Sequence, residues 1–330
     1  MSEKRCKSQQ GEQGYWVGST EMRRIGFPTR REWRQEIVDL IRGASGGFLF
    51  GIPLLYTMEV WWIGSYTEPP LMLIVLAVTF VIVFLLNRTD GFRQLRPDRP
   101  LQAAMDSVEA LAIGIVCVTL VLILLREITL ETSIQEILGK IVLEGMPFAL
   151  GVALARSIMA GGEENAADGD AQPSGSSQTD ANQAETGPPQ AQSPPKQSFN
   201  ATLADIGATL VGTIFIAFNV APTDEVPMLT AASSPPWLLG IVAASLVISY
   251  CIVFAAGFTT QNRRLQQQGL FQKPIIETVI SYLLSLVAAA MMLWLFHRLS
   301  PADPWTSWLQ QTLILGLPAT IGGAAGRLAI

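Results

Sequence analysis

Two segments of the chain share one pattern of small, helix-breaking and basic residues: GMPFALGVALAR at residues 145–156 and GLPATIGGAAGR at residues 316–327. In each segment a proline lies between two glycines, and an arginine comes last. Proline removes a backbone hydrogen bond and bends a helix, whereas glycine lets a neighbouring helix approach closely. The pattern indicates two equivalent, bent helices.

The similarity extends from these segments over most of both halves of the chain. A shift of 166 positions aligns the first part of each half, and a shift of 171 aligns the rest after a five-residue lengthening of one loop. Matched apolar residues mean little in a chain this apolar, but matched acids, prolines and arginines are informative. These matches are Asp39 with Asp205, Glu59 with Glu225, Pro69 with Pro235, Asp106 with Glu277, Pro147 with Pro318 and Arg156 with Arg327. They predict an internal duplication.

The composition favours lipid as the solvent. Only 15% of the 330 residues are charged, 49% are hydrophobic and the mean hydropathy is +0.35, whereas about 25% charged residues is usual in soluble domains. Because the hydrophobic residues are concentrated in long blocks, the chain is not expected to be disordered, collagen-like or a nucleic-acid binder, and its net charge of −5 agrees with this. Three scattered cysteines and one histidine (Cys6, Cys117, Cys251 and His297) are too few for a disulfide framework, a metal site or haem ligation. No cofactor is expected.

Eight stretches are long and apolar enough to cross a bilayer, which requires about 20 residues in a helix. They form two sets of four: residues 39–63, 70–86, 104–125 and 138–160, then 203–221, 237–258, 275–296 and 308–330. The predicted fold class is therefore all-α, a polytopic membrane protein with eight transmembrane helices in two parallel four-helix repeats.

The predicted domain organisation follows from the segments outside these spans. Residues 1–28 and 161–200 are polar and poor in large apolar side chains, so we expect a disordered N-terminal tail and a disordered cytoplasmic linker. The two repeats then occupy residues 29–160 and 201–330. No cleavable signal peptide is expected, because polar sequence follows the first basic residues.

The basic residues predict the orientation. With the N-terminus inside, 19 of the 22 Lys and Arg residues fall on the inner side, so the positive-inside rule favours two cytoplasmic termini. Because each repeat has an even number of spans, the repeats should be related by a pseudo-twofold axis along the membrane normal.

Two candidate clusters of buried charge follow from this orientation. Two acids and one arginine of each repeat fall at similar depth near the inner ends of the spans: Asp39, Asp106 and Arg156, then Asp205, Glu277 and Arg327. Charges inside a bilayer are usually paired or functional. A structural role that pins each four-helix unit is favoured. An ion or proton site, or side chains that extend to the interface, are the alternatives.

Three further features have a structural and a functional interpretation. Glu59 and Glu225 form a candidate outer rim that could concentrate cations, although an ordinary solvated rim is favoured. Pro147 and Pro318 predict helix kinks, more often a fixed bend than a substrate site. Lys140 and Glu144 lack counterparts in the second half and are interpreted as a local helix pair.

Four segments carry a resemblance to a known family. They are WRQEIVDLIRGASGGFLFGIPLLYTMEVWW at residues 33–62, the PP pair at 69–70, NRTDGFR at 87–93 and GMPFALGVALAR at 145–156. The chain resembles a family of bacterial integral membrane proteins of unknown function. The resemblance implies the fold class and an inner-membrane location, and it implies no activity and no catalytic residues.

Two functions from different classes remain open. The first is a small-ion channel or transporter, with the charged clusters near an inner vestibule. The second is a membrane scaffold or accessory subunit whose charged clusters are structural. Enzymatic activity is not expected, because no nucleophile elbow, phosphate loop or metal cluster is visible. The expected partner is the lipid bilayer, with a small ion and a homo-oligomer both left open and no nucleic acid expected.

Overall fold

Ten α-helices and one π-helical turn make up the regular structure of the described part of the chain. The structure is a computed structural model that describes residues 30–89, 100–167, 196–255 and 274–328. The helices are α1 (Arg30–Leu55), α2 (Met58–Tyr66), α3 (Pro69–Thr89), α4 (Pro100–Leu124), α5 (Ile134–Ala167), α6 (Lys196–Val220), α7 (Glu225–Ala232), α8 (Pro235–Tyr250), the π turn Cys251–Ala255, α9 (Pro274–Leu295) and α10 (Trp305–Leu328). No strand occurs in these four ranges, so the all-α prediction is confirmed there.

Six of these helices are long and apolar enough to cross a membrane. They are α1, α3, α4, α5, α8 with its π turn, and α9. Helices α6 and α7 together qualify as a seventh, broken span, with a bend of 86° between them. These helices confirm a multi-span helical membrane protein.

Helix α10, which covers most of the predicted span 308–330, is not one of the six. Every residue from Ile314 to Ala324 is buried. A helix surrounded by protein needs no lipid-facing apolar side chains, so its small and polar residues lower its hydropathy without weakening its packing.

The first predicted span, 39–63, is interrupted in the structure. Helix α1 ends at Leu55 and α2 begins at Met58. Thr57 is extended between them, with φ −138° and ψ 94°, and its hydroxyl donates to the Leu54 carbonyl at 2.8 Å. Thr223 makes the same bond to Val220 at 2.7 Å where α6 ends. Each first helix of the two halves is thus followed by a break and a short helix.

Glycines allow the closest helix crossings, between α1 and α5 and between α6 and α10. A Cβ added to Gly46 would lie 2.5 Å from the Cβ of Ala155 on α5. A Cβ added to Gly212 would lie 2.9 Å from the carbonyl carbon of Gly322 on α10. Both distances are shorter than a van der Waals contact, so these crossings require residues without side chains.

Helices α4 and α9 end in the same left-handed turn. Arg126 has φ 63° and His297 has φ 58°, and these are the positive-φ residues other than glycine in the described ranges. In each case the next residue donates its N–H to the carbonyl five positions earlier, at 2.9 Å. This is the Schellman arrangement, which satisfies carbonyls at the end of a helix.

The predicted tail and linker fall largely outside the described residues. The structure describes nothing of residues 1–28, and of the predicted linker it leaves out residues 168–195. Helix α5 continues through Ala167 and α6 begins at Lys196.

Candidate functional site

The charged residues predicted for the second half include one buried ion pair. Arg327 on α10 is 1% exposed and pairs with Glu277 on α9, whose side chain is 22% exposed. Its Nη1 also donates to the Ser281 hydroxyl at 3.1 Å, and its guanidinium carbon lies 5.6 Å from the centre of the Phe254 ring. Asp205 is half-buried on α6. The structure therefore brings Arg327 and Glu277 into direct contact.

The corresponding residues of the first half are described only in part. Asp39 on α1 lies 3.5 Å from the Arg42 guanidinium, and both side chains are about one third exposed. Asp106 is half-buried on α4. Arg156 belongs to the part of α5 whose side chains lie outside the described residues. The predicted cluster of these three residues stays a prediction.

The two acids of the predicted outer rim have different surroundings. Glu225, at the start of α7, is 5% exposed. Its Oε1 accepts the N–H of Met58, the first residue of α2, at 3.1 Å. A carboxylate at a helix N-terminus is favourable, because it meets free N–H groups and the positive end of the helix dipole. Glu59 is exposed. Glu225 therefore joins the two halves from a buried position.

Pro318 lies inside α10, and a residue from the other half compensates for the helical hydrogen bond that proline removes. Proline has no N–H, so the carbonyl four positions earlier, at Ile314, loses its helical donor. The Tyr56 hydroxyl donates to that carbonyl at 2.8 Å, and the bond is buried. Pro147 lies half-buried inside α5. Sequence reasoning found both prolines but missed Tyr56, since no signal in the sequence relates positions 56 and 314.

The interpretation of Lys140 and Glu144 as a local pair needs a correction. The Lys140 ammonium is 3.2 Å from Glu127 Oε2, in the turn after α4, and 3.0 Å from Glu136 Oε1 on its own helix. It also donates to the Glu127 backbone carbonyl at 3.0 Å. Two carboxylates and a carbonyl thus satisfy this buried lysine. Sequence reasoning missed Glu127 and Glu136, because the fold of the 125–133 turn brings Glu127 back to α5.

Glu144 is left as a buried acid beside this group. Its side chain is 1% exposed, and its Oε1 has no hydrogen-bond partner among the described residues. Lys140, one turn before it, packs against Gly64, and Phe148, one turn after it, packs against Gly51. Glu144 therefore lies at the level where α1 gives way to α2. A charged side chain in a lipid-spanning helix costs roughly 2.5–3.5 kcal/mol on insertion scales, so an acid without a bonded cation is notable.

No group of three or more His, Cys, Asp or Glu side chains in the described ranges is arranged to hold a metal ion.

The helices and their buried charges define a polytopic, all-helical membrane protein. The chain belongs to the family described as "Putative integral membrane protein (DUF2391)", whose model matches residues 39–330. No curated protein and no solved structure matches the chain.

Proposed function

We propose that the chain is a duplicated four-span unit with eight spans, in which α6 and α10 are added to the six apolar spans. Each half has the same order of elements, a long helix, a short helix and three long helices. Local geometry recurs at the two shifts of the sequence alignment. At a shift of 166, Gly46 corresponds to Gly212, and at a shift of 171, Arg126 corresponds to His297. These coincidences in glycine crossings and left-handed turns support the duplication.

The proposed orientation places both termini in the cytoplasm of a bacterial cell, with the protein in the inner membrane. The excess of basic residues on the inner side supports it. Single cysteines introduced at Ser300, in the turn after α9, and at Pro100, where α4 begins, test this orientation in intact cells. A membrane-impermeant thiol reagent should label position 300 and spare position 100. The reverse result would invert the topology.

The function that we propose is the passage of a small ion through the bilayer. The observation that carries it is the buried Arg327 guanidinium, which pairs with Glu277, whose side chain is 22% exposed. A charged pair inside a membrane protein is expensive and often marks an ion pathway. The Glu277 side chain is thus partly accessible from outside the protein, and its predicted counterpart in the first half is Asp106.

Purified protein reconstituted in liposomes tests this function. Cation, anion and proton fluxes should be measured under imposed gradients, for the natural chain and for the double variant Asp106→Asn, Glu277→Gln. We expect a flux above that of empty vesicles, and a lower flux for the double variant at equal protein density. If no ion crosses under any gradient and neutralisation leaves growth phenotypes unchanged, the proposal fails.

A scaffold or accessory subunit is the second candidate, and the contacts of Arg327 favour it. This side chain is 1% exposed and is held by an ion pair, a hydroxyl and an aromatic ring. Arg327→Ala should then lower stability in detergent, by up to about 3 kcal/mol, because it leaves Glu277 without its cation. The double variant Arg327→Ala, Glu277→Gln should recover much of the loss. Unchanged stability of the single variant would contradict a structural role.

A further inference from the structure

We propose that Glu144 is a proton-binding site and that the proton is the ion carried through the first half of the molecule. This inference rests on the proposed ion passage and names its substrate. It is carried by a carboxyl group that is 1% exposed and has an oxygen without a hydrogen-bond partner in the described ranges. The site belongs to neither of the charged clusters at the ends of the helices.

The nearest cation is already bound elsewhere. The Lys140 ammonium lies 3.2 Å from a carboxylate oxygen of Glu127 and 3.0 Å from one of Glu136. These two carboxylates outnumber the one ammonium, so the group has no surplus positive charge for Glu144. Glu127 is also close enough to Glu144 for their charges to interact. A proton is the smallest cation that can neutralise an acid in so confined a place.

Helix α5 packs against α1, α2, α3 and α4. The hydroxyl of Tyr56, after α1, donates to the Ile314 carbonyl and is therefore engaged. Glu59 on α2 and Glu68 before α3 are exposed, as are Arg126 and Glu131 in the turn after α4. The ionisable groups that these elements contribute at this end of α5, beside Lys140 and Glu136 of α5 itself, are Tyr56, Glu59, Tyr66, Glu68, Cys117, Arg126, Glu127 and Glu131. Of the cations in this group, Lys140 is bound by Glu127 and Glu136, and Arg126 lies 5.5 Å from the centre of the Trp237 ring.

The proposed step is a single proton transfer in each direction. The Glu144 carboxylate takes one proton from a hydronium ion that enters past Glu127 and Glu136, which leaves a water molecule, and it becomes a neutral carboxylic acid. It then gives the proton to a second water molecule, which becomes hydronium, and one negative charge returns to the site. Glu136 is the more accessible of the two acids at this entrance, because its side chain is 32% exposed, whereas that of Glu127 is 10% exposed. Glu136 also accepts a hydrogen bond from the Ser65 hydroxyl at 3.2 Å.

The second half of the molecule lacks this site. At a shift of 171, Gln311 occupies the position of Lys140, and Leu315 occupies the position of Glu144. Leu315 is fully buried, so an apolar side chain occupies the position that corresponds to Glu144. The proton site is therefore assigned to one half.

Infrared spectroscopy of the full-length protein in lipid nanodiscs tests the site directly. At neutral pH the natural chain should show the C=O stretching band of a protonated carboxyl group, and the band should disappear in Glu144→Gln. Glu131→Gln, which removes an exposed acid, is the matched control and should keep the band. Glutamine has nearly the same shape as the neutral acid, so Glu144→Gln should fold. If it does not, Glu144→Asp should shift the band.

Proton flux into liposomes, followed with a trapped pH-sensitive dye, completes the test. Glu144→Gln should lower the flux at least tenfold, and Glu131→Gln should leave it unchanged. A band that persists in Glu144→Gln overturns the proton site, whether or not the vesicles pass ions. A band that belongs to Glu144 in protein that passes no ion leaves the proton site standing and refutes the proposed ion passage.

Discussion

The crossing of α6 and α10 is expected to tolerate no added methyl group at Gly212. A Cβ at this position would lie 2.9 Å from the Gly322 carbonyl carbon and 2.9 Å from the Gly326 amide nitrogen. Both atoms belong to the backbone of α10, which cannot rotate away as a flexible side chain could. Gly212→Ala must therefore push the two helices apart.

Gly207, on the same helix, offers a matched control. A Cβ there would meet no heavy atom within 4 Å. Both substitutions gain the same helix propensity, up to about 1 kcal/mol, so this contribution cancels in the comparison. Overpacking of a well-packed site costs about 1–3 kcal/mol. Gly212→Ala should thus be less stable than Gly207→Ala by about 1–3 kcal/mol.

Reversible unfolding in mixed micelles, with increasing SDS and helicity followed by circular dichroism, measures this difference. Gly46→Ala should behave like Gly212→Ala, because its Cβ would lie 2.5 Å from that of Ala155. Equal stability of Gly212→Ala and Gly207→Ala would refute the inferred close crossing. A cost at Gly212 without one at Gly46 would instead count against equivalent crossings in the two halves.

Two other predictions concern groups outside the apolar spans. Tyr56→Phe should lower the free energy of unfolding by about 1–3 kcal/mol, because it leaves the Ile314 carbonyl buried without a donor. Tyr66 is 82% exposed, so the control Tyr66→Phe should have no measurable effect in the same SDS titration. Asp303 accepts hydrogen bonds from the backbone N–H and the hydroxyl of Ser300, and these bonds lower the pKa of its carboxyl group. The bonds stabilise the turn fully above the ordinary aspartate pKa, and this stabilisation is lost as the pH falls through the lowered value. Hydrogen exchange of the Ser300 amide should then be faster in Asp303→Asn at neutral pH and should match the natural chain in acid, and equal rates at neutral pH would contradict the prediction.

Hydropathy predicted most helices because the bilayer fixes their length and composition. The predicted spans 70–86, 104–125 and 275–296 agree with α3, α4 and α9 to within four residues at each end. The break after Leu55 was not predicted, since the apolar run continues through it and hydropathy reports composition without chain direction. The same limit explains the unexpected bend of 86° after α6. Such breaks depend on the capping hydroxyls of Thr57 and Thr223 and on contacts with the rest of the fold.

The site was harder to predict because its polar contacts join distant parts of the chain. Sequence reasoning singled out Arg327 and Glu277, which form an ion pair, because the repeat made their positions stand out among apolar residues. It assigned Lys140 to Glu144 from helical spacing alone. In the structure the ammonium turns to Glu127, thirteen positions away. Spacing on one helix identifies neighbours, but it does not rank them against a competing carboxylate from a turn.

The two halves of the chain differ in the polar side chains that contact the other half and in the charged side chains that are buried. The hydrogen bond that compensates for Pro318 comes from the Tyr56 hydroxyl of the first half. At a shift of 166 the corresponding residue of the second half is Pro222, which has no hydroxyl and cannot donate a corresponding bond to α5. Likewise Glu225 accepts the N–H at the start of α2, while Glu59 is exposed. The glycine crossings and left-handed turns occur in both halves, whereas these polar contacts differ between them. Glycine crossings and helix-end turns are constraints on packing that both halves must meet. A leucine fills the position that corresponds to Glu144 in the second half, so packing does not require an acid there. An acid that is present in the first half alone is consistent with a function that belongs to that half.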